Sequence, residues 1–155
     1  MTVLQKLDVL RKNAGQRITQ GLPDAVILRF AATHPALTQA IDEALLAMQQ
    51  LRRDLPEVAA MDEAGQIQAV QADFINFYQE DAINPFVPLA ARGPWLITTK
   101  GAVVHDSGGY GMLGFGHAPQ SVLDALARPH VMANVMTPSA SQLRLAQALR
   151  REIGH

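Results

Sequence analysis

The densest run of chemically useful residues is Asp106-Ser107-Gly108-Gly109-Tyr110-Gly111-Met112-Leu113-Gly114-Phe115-Gly116-His117. Six of the eleven glycines fall between Gly101 and Gly116. Glycine accepts positive φ and lets backbone approach closely, so such a run can wrap a ligand or a neighbouring subunit. Gly109, Gly111 and Gly114 have the spacing of a dinucleotide fingerprint. That motif needs a βαβ unit, however, and the strand before this run reads as half of a hairpin. The Gly-Lys-Ser/Thr of a P-loop is also missing. The other candidate groups are few. There is no cysteine, which removes thiolate metal sites and thiol nucleophiles. Lys6, Lys12 and Lys100 are the only lysines. The histidines, His34, His105, His117, His130 and His155, show no ligand spacing on one helix and no accompanying carboxylates, so no metal site is expected.

These residues must be held by elements of two kinds. Leu4, Leu7 and Leu10 recur at helical spacing, with Gly15 as a stop. A second helix is expected after Pro23 to about Ala32. A third opens at Pro35, with Thr33 or His34 near the cap and Leu37, Ile41, Leu45, Met48 and Leu51 along one face, and Pro56 closes it. A fourth is expected from Asp62 to about Glu80, with Ile67, Val70, Phe74 and Phe77 inward. Asn84-Pro85 to Pro88 and Arg92-Gly93-Pro94 read as an extended connector, because residues before proline avoid the helical region. Trp95–Thr98 and Ala102–His105 then read as a hairpin turning at Thr99-Lys100-Gly101. Beyond the Gly-rich run, helices are expected from Pro119 to about Ala127 and from Pro138 to about Glu152. The last has Leu143, Leu145, Ala146 and Leu149 on its apolar side, and a short extended piece near Val131–Val135 lies between the two. The fold class is therefore α+β, mainly helical, with one small hairpin at about 95–105 and a Gly-rich loop. Residues 1–83 read as a helical N-terminal module and residues 84–155 as a second segment of different design.

Composition narrows the partners. The 155 residues carry 13 Lys plus Arg against 14 Asp plus Glu, a net of −1, so there is no general electrostatic drive toward nucleic acid or an anionic membrane. The charge is unevenly spread, with seven acids and no base in residues 54–91 and a net of +3 on either side. That stretch reads as a solvated acidic helix face, or as one that packs on the basic flanks or on a partner chain. Charged residues are only 17% of the chain, below the usual quarter, so part of its apolar surface is expected to face a partner. No segment approaches the roughly 20 apolar residues of a membrane span, and the start lacks a signal peptide's apolar run. A soluble cytoplasmic protein is the expectation.

The order of hairpin, Asp106, Ser/Gly-rich turn with an aromatic residue, Gly116-His117 and then a helix resembles the N-terminal region of class III aminotransferases. These are the fold type I pyridoxal-phosphate enzymes that include ornithine, lysine and 4-aminobutyrate aminotransferases. The resemblance covers about residues 84–155. Trp95 to Asp106 matches the family's hairpin and Ser107 to His117 its active-site loop, while Ser121–Leu126 and Ser139–Ile153 match the two helices that follow. It implies that Tyr110, with Gly109 and Gly111, contacts the substrate's distal end near a homodimer interface, and that Gly116 and His117 hold the loop. The family usually reads Gly-His-x-His-Pro. This chain reads Gly116-His117-Ala118-Pro119, one residue shorter and without the second histidine.

The resemblance further implies amino-group transfer from an amino acid or ω-amine to a 2-oxo acid in the complete protein. The groups that hold pyridoxal phosphate in the family have no counterpart here. These are a phosphate-cradling turn, an Asp on the pyridine nitrogen and a Schiff-base lysine. Lys6 and Lys12 are expected on an exposed helix and Lys100 at a hairpin tip, without the burial that would lower an amine's pKa. The chain is therefore expected to carry no catalytic residue, to bind no cofactor alone, and to need a large domain beyond His155. Residues 1–83 would then be an added packing or oligomerisation module. The alternative is a small helical interaction or oligomerisation domain without catalysis.

Overall fold

The computed structural model describes residues 1–13, 15–72, 82, 85–107, 114–129 and 138–154. Among them are seven helices and one three-stranded antiparallel sheet of order β1-β2-β3, an α+β, mainly helical fold. The chain forms two compact units, Met1–Pro119 and Gln120–His155. The division thus falls after the Gly-rich run, whereas sequence put a boundary at 83/84. Strands and N-terminal helices bury the same side chains, which ties them together.

In the first unit, α1 (Val3–Arg11) opens on a capping box, with Thr2 and Gln5 satisfying each other's backbone N–H. Helix α2 (Asp24–Ala31) follows Pro23, and α3 (Pro35–Asp54) has Pro35 in its first turn. Pro56 ends α3 as expected and also starts a short helix, α4 (Pro56–Ala60). Leu7 and Leu10 of α1, Ile27 of α2, and Leu37, Ala40, Ile41, Ala44 and Met48 of α3 form one cluster. Trp95, Ile97 and Val103 of the sheet complete it.

The hairpin is β2 (Trp95–Thr98) with β3 (Val103–His105), pairing Trp95 with His105 and Ile97 with Val103. The expected connector contains a strand as well. β1 (Pro88–Arg92) pairs antiparallel with β2, from Arg92 opposite Trp95 to Pro88 opposite Thr98. Its proline is tolerated because it is the first residue of an edge strand.

Helix α5 (Glu63–Gln71) is capped by Asp62, whose side chain accepts from Gly65 N at 2.8 Å. Val70 was expected inward but is 49% exposed. The buried side of α5 is Glu63, Gln66 and Ile67, a face chosen by polar partners rather than by an apolar stripe. Glu63 Oε2 accepts from Ile18 N and Thr19 N at 2.6 and 2.8 Å, and Gln66 Oε1 accepts from Thr99 Oγ1 at 2.6 Å. Phe74 and Phe77 lie outside the described residues.

The second unit contains α6 (Gln120–Leu126) and α7 (Ala140–Ile153), the latter capped by a Ser139/Gln142 box. Neither helix has a buried residue. The expected extended piece at Val131–Val135 lies outside the described residues. No helix among the described residues is long and apolar enough to cross a membrane.

Candidate functional site

The Gly-rich run leaves the sheet at the end of β3 and returns beside the β1–β2 turn. Asp106 N donates to Pro94 O at 2.7 Å, which fixes the exit. Gly93 N donates to His117 O at 2.9 Å and His117 N to Gly93 O at 2.8 Å, a two-way bridge that fixes the return. Across the gap, His117 Nε2 lies 2.8 Å from Asp106 Oδ2. Two residues eleven apart in sequence therefore close a neck.

Arg92 backs this neck. Its Nε donates to both Glu43 carboxylate oxygens at 2.9 and 3.1 Å, and one terminal nitrogen lies 2.7 Å from Glu43 Oε1. The other terminal nitrogen donates to Ala118 O at 3.3 Å. The hydrogen bond to Glu43 holds the Arg92 pKa above its ordinary value, so this fork stays charged. The backbone is unusual here. Gly93 has φ +52°, Gly116 +73°, and Ala118 +48°, the only positive-φ residue other than glycine among the described residues. A Cβ on Gly116 would sit 2.7 Å from the Gly93 carbonyl carbon, so only glycine permits the bridge.

Of the sequence-derived candidates, Gly116 and His117 are brought into this neck. Tyr110, Gly109 and Gly111 lie outside the described residues. Phe115, just before the return, is 83% exposed. Asp106, Arg92, Glu43 and Ala118 were not singled out as site residues. Asp106 could have been, as the residue opening the Gly-rich run, but nothing local links Glu43 to Arg92. A carboxylate on an imidazole is how many general bases are oriented. Here the pair stands beside the two backbone hydrogen bonds that His117 makes with Gly93.

Lys100 corrects an expectation. It does not project from an exposed hairpin tip but is 1% exposed, covered where α1, α4 and α5 meet the turn. Its Nζ donates to Met61 O at 2.5 Å, capping the end of α4. Burial lowers its pKa, against the pull of the nearby Asp62 and Glu63 carboxylates. A lowered pKa suits a Schiff-base amine, but this one is enclosed and already engaged. Lys6 is paired with Asp42, and Lys12 is exposed. The lysines present do not fit a pyridoxal-phosphate attachment site. Among the described residues, no three His, Asp or Glu side chains cluster as a metal ion would need.

Comparison of the chain with protein-family models, curated proteins and solved structures gives no match.

Proposed function

We propose that this chain is the N-terminal portion of a class III, pyridoxal-phosphate-dependent aminotransferase of the cytoplasm. The complete protein, a homodimer, would move an amino group from an amino acid or ω-amine to a 2-oxo acid. The observation that carries the reading is the closed neck. Hairpin, Asp106, Gly-rich run and Gly116-His117 follow the family's order, and the residues flanking the run, Asp106 and His117, meet each other and the backbone of Pro94 and Gly93. In this role the chain supplies the small-domain hairpin and the substrate-facing loop carrying Tyr110, Gly109 and Gly111. The cofactor's lysine and pyridine-nitrogen partner come from elsewhere in the protein, and the isolated chain neither binds the cofactor nor transaminates.

The test is to isolate the protein from its native source, reduce it with borohydride and map any pyridoxyl group. The expected result is a species well above 16.8 kDa, with the group on a lysine outside residues 1–155. A native species of 16.8 kDa without the group would overturn the reading.

A second reading, a non-catalytic interaction or oligomerisation domain, is favoured by a separate observation. Val122, Leu123 and Leu126 of α6 and Leu143, Leu145, Leu149 and Ile153 of α7 are all exposed. Apolar faces of this extent call for a cover. A 16.8 kDa native species that self-associates would favour it over the first.

A further inference from the structure

Helix α7 and a groove on α5 have complementary chemistry. Along α7, Leu145, Leu149 and Ile153 recur one turn apart, and 61%, 47% and 68% of each is exposed. The same helix carries Arg144, Arg150 and Arg151 against a single acid, Glu152, so it is basic as well as amphipathic. In the first unit, Ala64, Ile67, Gln68 and Gln71 of α5 line an apolar groove of about 390 Å³ together with Ile18. Ile67 is buried there, while Ile18 is 55% exposed. An apolar slot of this kind receives an amphipathic helix, whose anchors stand one turn apart.

Charge selects the pairing. The α5 side of the groove belongs to residues 54–91, which hold seven acids and no base. Residues 1–119 carry 9 Lys plus Arg against 12 Asp plus Glu, a net of −3, whereas residues 120–155 carry 4 against 2, a net of +2. Unlike charge draws α7 of one chain toward the acidic unit of another, while two α7 helices face to face would oppose their arginines.

We propose that α7 of one copy seats Leu145, Leu149 and Ile153 in the α5 groove of a second copy, with the exchange made both ways. A reciprocal contact closes at two copies, whereas a one-way contact would continue from copy to copy. The second copy rests on the homodimer of the proposed function, and the two surfaces are what the inference adds. One helix in one groove is a small interface. Its affinity therefore lies at the micromolar end of the range, and dilute protein is monomeric.

The experiment is sedimentation velocity of the full chain from low to high micromolar concentration. The mass should rise from 16.8 kDa to twice that value. A chain with both Arg150→Glu and Arg151→Glu, and a second chain with Gln68→Arg, should each dimerise about tenfold more weakly or worse, because each places like charges in the contact. All three positions are exposed, so the melting midpoint read by the single tryptophan, Trp95, should hold in both variants. Mixing the two variants should restore the dimer. The wild-type helix of the Gln68→Arg chain then meets a wild-type groove, and the acidic helix meets the basic groove. A mass of 16.8 kDa at every concentration would overturn the proposal, as would a dimer that neither variant weakens. So would a dimer weakened only by the α7 changes, which would place α7 on another surface, or a mixture that fails to recover. None of these outcomes touches the aminotransferase reading, which stands or falls on where a pyridoxyl group maps.

Discussion

Helices α3 and α7 are built on the same sequence principle and end in opposite states. Each starts with a clear signal, Pro35 in one and the Ser139/Gln142 box in the other, and each carries an apolar row at helical spacing. In α3 the row is sealed, with Leu37, Ala40, Ile41 and Ala44 fully buried against β1, β2, α1 and α2. In α7, Leu143, Leu145, Leu149 and Ile153 are 47–68% exposed. An amphipathic period identifies which face is to be covered but carries no information on what covers it. That information lies in the partner elements, which α3 has in its own unit. Helix α7 has none that bury a residue.

The comparison is broken most directly by truncating one residue in each row. Ile41→Ala should cost about 2–5 kcal/mol, the transfer term plus a cavity in a tightly packed cluster. Leu149→Ala should stay within about 0.5 kcal/mol, as exposed positions do. Urea melts of both variants check this. A Leu149→Ala loss approaching that of Ile41→Ala would mean that α7 is covered in solution, and its dependence on protein concentration would then identify self-association as the cover.

Gly116→Ala tests a close backbone approach within the first unit, with a smaller effect. The added Cβ would meet Gly93 backbone at 2.7 Å at a φ of +73°, so the two-way bridge to Gly93 must open. A cost of about 1–3 kcal/mol is expected, in the range for a residue forced into a disfavoured region. Gly154→Ala is a control in the second unit. Its φ is +83° but its Cβ meets nothing, so the cost is the backbone strain of one helix end alone. If the two substitutions cost the same, the close approach at Gly93 contributes nothing.

Much of the first unit was readable in advance because its signals are local. Leucine spacing and prolines mark α1, α2 and α3, and the β-branched run around Thr99-Lys100-Gly101 marks the hairpin. β1 was not readable, since Pro88-Leu-Ala-Ala-Arg92 has neither alternation nor β-branched residues, and only its pairing with β2 makes it a strand. The site divides the same way. Gly116 and His117 stand inside the conspicuous run, whereas the Glu43–Arg92 pair spans 49 residues and Lys100 meets Met61 O across 39. A lysine in a turn is ordinarily exposed, so its burial is a tertiary fact without a local signature.

Lys100 also gives the first unit a pH dependence. Its folded-state pKa is lowered from 10.5, first by burial. Between the lowered value and 10.5 the unfolded chain binds more protons than the folded one, so stability rises with pH across that window. Below the window both states are protonated and the whole burial penalty is felt. Lys100→Met removes this slope, at a cost of about 1–3 kcal/mol for leaving Met61 O without its donor. Urea midpoints of the two proteins from neutral pH to pH 10.5 should converge or diverge accordingly. Parallel curves would mean that the amine reaches water.

The smallest effect separates the units most cleanly. Helices α1 and α7 both open on capping boxes, Thr2 with Gln5 and Ser139 with Gln142. Replacing the capping residue by alanine costs about 1 kcal/mol wherever the helix is part of a cooperative unit. Leu7 and Leu10 lock α1 into the core, so Thr2→Ala should lower the melting midpoint of the whole first unit. An isolated helix of 14 residues is only marginally stable in water, and no burial supports α7. Ser139→Ala should therefore reduce helical circular dichroism before the main transition and leave the Trp95-reported midpoint where it was. A Ser139→Ala shift in that midpoint would show that the two units melt as one.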